Sequence, residues 1–149
     1  MLKGQLSIGF MSRTAVGFIL VIALTYAVIS MNDTFKKREQ EQTIVSAAKY
    51  VANEVLVAME ELDENTTMNK SIRLPIFRDP NTASYAVSFE DYDGEIYVKA
   101  TSFQWELVSR RPIYLNSSQA QINSLPSYPP KMNIMIKREN DVYQLNVTR

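Results

Sequence analysis

Residues 14–32 read TAVGFILVIALTYAVISMN, a stretch of 19 residues that contains neither a charged side chain nor a proline. A helix of this length is about 28 Å long, close to the hydrocarbon thickness of a bilayer at about 30 Å. Arg13 precedes the stretch, and the basic triplet 36–38 (Lys-Lys-Arg) follows it. Long cationic side chains at such positions reach lipid headgroups, although a solvated helix face is the other interpretation of the triplet. The sequence therefore predicts one membrane span at 14–32.

The helix is predicted to continue well past the span. All six prolines lie at or after residue 75, so no proline interrupts the first half of the chain. Between residues 43 and 62 apolar side chains recur every three or four positions, namely Ile44, Ala47, Ala48, Val51, Ala52, Val55, Ala58, Met59 and Leu62. This spacing predicts one helix over 5–62 whose second half has a single apolar face. We expect that face to cover the chain's own β-sheet.

After a polar connector, assigned to 63–83, the hydrophobic period changes to two. Tyr85, Val87 and Phe89 alternate with smaller side chains, residues 91–94 (Asp-Tyr-Asp-Gly) form a turn, and residues 95–101 return as a second strand. This pattern predicts a β-hairpin.

Two further β-patterns follow this hairpin. Phe103, Trp105 and Leu107 alternate as in a third strand or a continuation of the second, and residues 110–112 (Arg-Arg-Pro) are expected to end it. Apolar residues at 132–136 and 142–147 predict a second hairpin. The fold class is therefore α+β, a long N-terminal helix followed by a small antiparallel sheet or sandwich at 84–149.

Composition excludes several classes of function. The chain has 16 basic and 16 acidic residues and no cysteine or histidine. Balanced charge gives no footprint for nucleic acid, and the missing residue types rule out disulfides, thiolate metal sites and imidazole-based triads. The acidic residues at 90–95 resemble part of a calcium loop but fit a solvated hairpin turn better. We expect no enzymatic activity, no cofactor and no metal site.

Aromatic residues offer one more candidate surface. Trp105, Phe103 and Tyr97 are able to stack on a sugar or a peptide, but they also suit the core of a β-sheet, which is the preferred interpretation.

N-glycosylation sequons are unusually frequent. Five of them occur, whereas chance gives about 1.5 for this content of asparagine, serine and threonine. The excess predicts an extracellular, glycosylated surface with acceptor residues Asn32, Asn65, Asn69, Asn116 and Asn146.

The N-terminus resembles a known leader peptide. Lys3-Gly4-Gln5, followed by Leu6, Ser7 and an apolar helix, is similar to the class III signal of archaeal type IV pilins. In that family a membrane prepilin peptidase cuts after the glycine, and the apolar helix then packs in a filament core. The resemblance implies a leader at 1–4 that is cut between Gly4 and Gln5. It also implies filament-core packing by six residues, Val16, Phe18, Leu20, Ile22, Leu24 and Ile29.

Two departures from the family pattern affect the predicted role. The family usually carries a glutamate five residues into the mature chain, where this sequence has Gly9, and Arg13 is unusual for a filament core. These residues favour a minor, tip or pilin-like subunit over the major structural pilin. The partners would then be other pilin subunits, in a homo- or hetero-oligomeric filament, the prepilin peptidase, and membrane lipid before assembly.

Two other outcomes for the N-terminal segment remain open. An uncleaved single-pass membrane protein would use its extracellular β domain to bind a partner, such as a stator-like component of a surface motor or an S-layer. Alternatively, residues 1–27 form an ordinary secretory signal that ends in Thr25-Tyr26-Ala27, and the mature chain starts at Val28.

Overall fold

A computed structural model of the chain describes residues 2–77, 85–123 and 125–148. The chain divides into two units, Met1–Arg38 and Glu39–Arg149. Within the described residues one helix, α1 (Leu2–Glu60), precedes seven strands. They are β1 (Thr67–Arg73), β2 (Tyr85–Tyr92), β3 (Glu95–Ser102), β4 (Val108–Asn116), β5 (Ala120–Ile122), β6 (Lys131–Glu139) and β7 (Val142–Thr148). The α+β prediction is confirmed.

The strands form two sheets. The first has the order β1-β6-β7-β5, and the second has the order β2-β3-β4. The pairs are antiparallel except β5 with β7, which run parallel over three residues. The predicted β2–β3 hairpin is confirmed, and its turn has positive φ at both Asp93 (55°) and Gly94 (79°), as a type I′ turn requires. The C-terminal hairpin is confirmed as β6 and β7.

The apolar stripe on the second half of α1 is buried as predicted. Its members from Ile44 to Leu62 are each at most 9% exposed. They form one hydrophobic cluster with buried side chains from both sheets, among them Phe89, Val98 and Ile136. Alanine at four positions of the stripe keeps the helix surface flat, so strands pack close to its backbone. The core of the second unit is therefore shared by helix and sheets.

The connector predicted at 63–83 is partly wrong, because it contains β1. The strand pairs with β6 from Thr67↔Lys137 to Arg73↔Lys131. Only Met68 and Ile72 are apolar on its inward side, and between them Lys70 places its ammonium 2.7 Å from the Glu54 carboxylate of α1. Because Lys70 is charged, the segment lacks the alternation of apolar and polar residues by which a strand is recognised in a sequence. The β domain therefore begins at Thr67, and residues 78–84 of the connector lie outside the described residues.

The predicted strand around 103–107 is also wrong. These residues form the turn between β3 and β4, and the Ser102 amide donates to the Leu107 carbonyl at 2.9 Å to close it. Strand β4 then runs through the Arg-Arg-Pro segment at 110–112 that was expected to end it. Proline is tolerated here because β4 lies at the edge of its sheet, where an absent N–H need not break the ladder.

A buried glutamine links α1 to the end of β3. Gln40 is 1% exposed, its Nε2 donates to Gln104 Oε1 at 2.8 Å, and its Oε1 accepts from Ser102 Oγ at 2.7 Å. Buried amides are tolerated only when they are hydrogen-bonded. These bonds fix the β3–β4 turn beside this position of the helix.

Replacing this glutamine tests the link. Gln40→Ala leaves the buried Ser102 hydroxyl without its acceptor, and we expect it to lower the free energy of unfolding by about 2 kcal/mol. The matched control is Gln42→Ala, an exposed glutamine two residues away, which should change stability by less than about 0.5 kcal/mol. Urea denaturation followed by circular dichroism measures both. Equal effects in the two variants would contradict the assigned role.

Candidate functional site

The first unit presents an apolar helix surface that is exposed in the described part of the chain. The six residues predicted to pack in a filament core are between 54% and 67% exposed, namely Val16, Phe18, Leu20, Ile22, Leu24 and Ile29. Phe10, Tyr26 and Val28 are exposed to a similar degree. Within the described residues this helix is long and apolar enough to span a membrane. Exposed apolar surface of this extent marks a membrane or protein contact.

Two threonine hydroxyls within this helix are hydrogen-bonded to the helix's own backbone. Thr14 Oγ1 donates to the Phe10 carbonyl at 2.9 Å, and Thr25 Oγ1 donates to the Val21 carbonyl at 2.8 Å. Because each hydroxyl bonds within its own helix, it needs no water. The threonines of the segment are therefore compatible with an apolar environment.

The residues at the ends of the segment have the following positions. Gly4 and Gln5, the predicted cleavage residues, lie within the described backbone of α1. Arg13 is exposed, Lys36 is half-buried, and Lys37 and Arg38 are exposed.

The five sequons differ in backbone setting. Asn65 is exposed in the turn before β1, with φ of 61°, and Asn116 is exposed at the end of β4, beside the turn at 117–119. Asn32 is exposed on the helix. Asn69 of β1 and Asn146 of β7 are both paired with Met135 of β6, one from each side, so their sequons lie in a continuous ladder. Two of the five therefore have the setting of surface turns.

One acidic residue of the first hairpin, Glu90, forms an ion-pair cluster with two basic residues. Glu90 of β2 accepts from Lys99 Nζ at 2.8 Å and from Arg110 Nε at 2.6 Å, across all three strands of the sheet. The guanidinium of Arg110 also lies 4.8 Å from the ring centroid of Tyr92. Hydrogen bonding to Arg110, and then to Lys99, lowers the pKa of the Glu90 carboxyl below its ordinary value. Among the described residues no group of three or more carboxylates is placed to bind a metal ion.

An aromatic patch lies on the opposite end of this sheet. Phe103 is 53% exposed in the β3–β4 turn, and its ring stacks on Tyr128 with centroids 6.2 Å apart. Trp105 is half-buried in the same turn, and Leu125 lines a groove with Tyr128. We call Phe103, Trp105, Leu125 and Tyr128 the aromatic patch. The preferred assignment of Phe103 to the β core is wrong, because the turn carries it to the surface.

Sequence reasoning missed one residue of this patch and the hydrogen bond between its turn and α1. Tyr128 stands alone among prolines, so no periodicity connected it with Phe103. Gln40 and Gln104 are polar residues 64 positions apart, and nothing local indicates that they bond.

Comparison with known protein families, curated proteins and solved structures finds no match to this chain.

The ion-pair cluster predicts a pH-dependent stability. Because the folded state lowers the Glu90 pKa, its contribution is present above the ordinary value of 4.5 and is lost as the pH falls through the lowered value. We expect Glu90→Gln to lower the melting temperature at neutral pH and the difference from wild type to shrink below pH 4.5. Thermal denaturation across this pH range measures it. Asp91→Asn, at an exposed neighbouring carboxylate, is the control, and an equal pH-dependent effect there would refute the assignment to Glu90.

Proposed function

We propose that this protein is a pilin-like subunit, in a minor role, of an archaeal type IV pilus-like surface filament. The single observation that carries the proposal is the uncovered apolar surface of α1, whose six predicted packing residues are more than half exposed. That surface is joined in one helix to a stripe buried by a β domain. This order of parts, together with the Lys3-Gly4-Gln5 leader, is what the resemblance to archaeal pilins implies.

The proposed mechanism begins with the chain in the membrane. Lipid covers the apolar helix, and a prepilin peptidase removes residues 1–4 by cutting between Gly4 and Gln5. The helix then exchanges lipid for the same apolar surface of neighbouring subunits. Heterologous contacts of this kind do not close on themselves, so they extend into a filament. The β domain remains outside the cell, where it makes adhesive or other surface contacts.

The minor role is supported by two residues within the proposed core. Gly9 stands where the family usually has a glutamate that pairs with a neighbour's N-terminal amine, and Arg13 would bring a cation into the proposed filament core. An unpaired charge in a low-dielectric core is costly, so a filament made only of this chain would be unfavourable. When a single such subunit lies at a filament tip or among other pilins, the filament contains this unpaired charge only once.

The start of the mature chain tests the proposal. Mass spectrometry of the protein isolated from its own cell should find a chain that begins at Gln5, and we expect Gly4→Leu to leave it uncut because the leader that this N-terminus resembles is cut after a glycine. Gly9→Ala is the matched control, at a second glycine of the same helix that lies outside the cleavage site, and it should be processed normally. An intact Met1 in the wild type would favour the uncleaved single-pass protein, and a start at Val28 would favour a secretory signal.

Glycan mapping tests the extracellular location separately. We expect N-linked glycans at Asn65 and Asn116, because a transferase needs an exposed and bendable chain, and none at Asn146, whose backbone is held in the ladder. Glycopeptide mass spectrometry of the native protein gives the occupancy. Thr67→Val keeps Asn65 but removes the hydroxyl of its sequon, and it should abolish that glycan alone. A glycan on Asn146, or unmodified Asn65 and Asn116, would contradict this prediction.

A further inference from the structure

A cavity of about 300 Å³ lies between α1 and the edge strand β4, within the second unit. One wall is a single face of the helix, with its lining residues spaced three and four positions apart, and the other wall is a short segment of β4. The lining residues are Lys49, Ala52, Asn53 and Leu56 of α1 and Arg111, Pro112 and Tyr114 of β4. Sites for small molecules have volumes of about 300–1,000 Å³. The cavity therefore has the size for one small ring.

Two cationic side chains of this cavity have no acidic partner within the described part of the chain. Lys49 and Arg111 are exposed, and neither forms an ion pair with a residue that the structure describes. The described residues that line the cavity include no carboxylate. Glu54, which follows Asn53 on the helix, is paired with Lys70 of β1 at 2.7 Å. Because a guanidinium binds anionic oxygens through two parallel hydrogen bonds, this charge favours an anionic ligand.

A β-bulge directs the tyrosine of the cavity outward. The register between β3 and β4 shifts so that residues 113–115 of β4 lie opposite residue 96 of β3. Tyr114 in this bulge has φ of 55° and is 80% exposed, while Ile113 and Leu115 on either side of it are buried. A positive φ is strained for a bulky side chain, and bulges at sheet edges often redirect a side chain. Burial of the two neighbours thus holds the Tyr114 ring at the surface, where one face can stack on a ligand.

The walls of the cavity favour a charged sugar over a peptide or a simple ion. Pro112 has no amide donor and the bulge interrupts the edge of β4, so an extended peptide cannot add a continuous strand here. A simple ion would leave the tyrosine ring and the Asn53 amide without a role. An acidic sugar matches all three, because its acid group suits Lys49 and Arg111, its hydroxyls suit Asn53, and the apolar face of its ring suits Tyr114.

We propose that this cavity binds a hexuronate residue, with the carboxylate at Arg111 and Lys49 and the sugar ring on Tyr114. Every lining residue belongs to the second unit, so binding requires neither a membrane span nor cleavage nor a filament. Only the use of this site as an adhesive contact, to a surface polysaccharide that contains uronic acid, rests on the proposed function.

A titration with glucuronate tests the site. The full-length chain is reconstituted into phosphatidylcholine vesicles, and saturation-transfer NMR follows the binding of glucuronate, glucose, acetate and inorganic phosphate. We expect glucuronate to bind about tenfold more tightly than the other three, because only it combines a charge-assisted hydrogen bond with ring contacts. Equal affinity for glucose would overturn the role of the cations. Equal affinity for acetate or phosphate, or no saturable binding of glucuronate, would overturn the sugar site.

Two adjacent arginines provide a matched pair of variants. Arg111→Gln should lower the affinity for glucuronate about tenfold, because it removes the guanidinium from the cavity. Arg110→Gln removes the same charge from the neighbouring position, where the guanidinium is bonded to Glu90 and does not line the cavity, and it should leave the affinity unchanged. Circular dichroism establishes that both variants are folded. Equal losses of affinity in the two variants, or no loss in Arg111→Gln, would overturn the proposal.

The tyrosine is tested by a variant that suits its backbone. Asparagine adopts a positive φ more readily than tyrosine, so Tyr114→Asn should have a melting temperature no lower than that of the wild type. Its affinity for glucuronate should fall about threefold, because the ring contact is lost. An unchanged affinity in this folded variant would overturn the assignment of the sugar ring to Tyr114.

Competition with an acidic peptide distinguishes a sugar from a second copy of the chain. The peptide has the sequence of residues 90–95 (Glu-Asp-Tyr-Asp-Gly-Glu), the acidic hairpin turn. We expect it to displace glucuronate only at higher concentrations than glucuronate itself requires, and displacement at lower concentrations would overturn the sugar in favour of a protein contact. The result is independent of processing, since a chain that begins at Gln5 but binds no glucuronate refutes the sugar site alone. Glucuronate binding by a chain with an intact Met1 supports the site and refutes only the cleavage.

Discussion

The fold of the second unit depends on the burial of one stripe of α1 by two small sheets. The three strands β2 to β4 and the four strands of the other sheet each have an apolar face, and both faces contribute to the cluster that contains Ile44, Val51 and Val55. Small sheets bury little surface by themselves, so neither would be stable without the helix. A fully buried valine or isoleucine contributes about 1.5–3 kcal/mol, and the stripe supplies several of them. Helix and sheets therefore form together, as one cooperative core.

This shared core explains which parts of the fold were predictable. Regular alternation or a three-four spacing marks residues that meet the core, and such residues located the helical stripe, the β2–β3 hairpin and the β6–β7 hairpin. Strand β1 was missed because Lys70, directed inward, is accommodated by Glu54 of α1. Strand β4 was misplaced because Pro112 is harmless only at a sheet edge, and edge position is a property of the whole topology. In both cases a tertiary contact overrides the local pattern.

The two candidate surfaces also differ in how well the sequence predicts them. The exposed apolar helix was predicted well, since its composition alone requires a membrane or a partner. The aromatic patch was not, because it joins the 103–107 turn to Tyr128 by stacking and to α1 through the Gln40–Gln104 bond. Contacts between residues far apart in sequence, and without periodicity, leave no local signal. Polar residues such as Gln40 are the least predictable, because only their buried partners distinguish them from exposed neighbours such as Gln42.

The membership of the core has a consequence for the proposed exchange of lipid for protein. Among the described residues the hydrophobic cluster begins at Ile44 and includes no side chain from the first unit. The stability of the β domain therefore does not depend on what covers residues 10–32. The apolar helix is able to move from bilayer to filament, in the proposed function, while every contact of the second core persists. Gln40 belongs to the second unit, and its bonds to Ser102 and Gln104 lie within that unit, so they persist in either state.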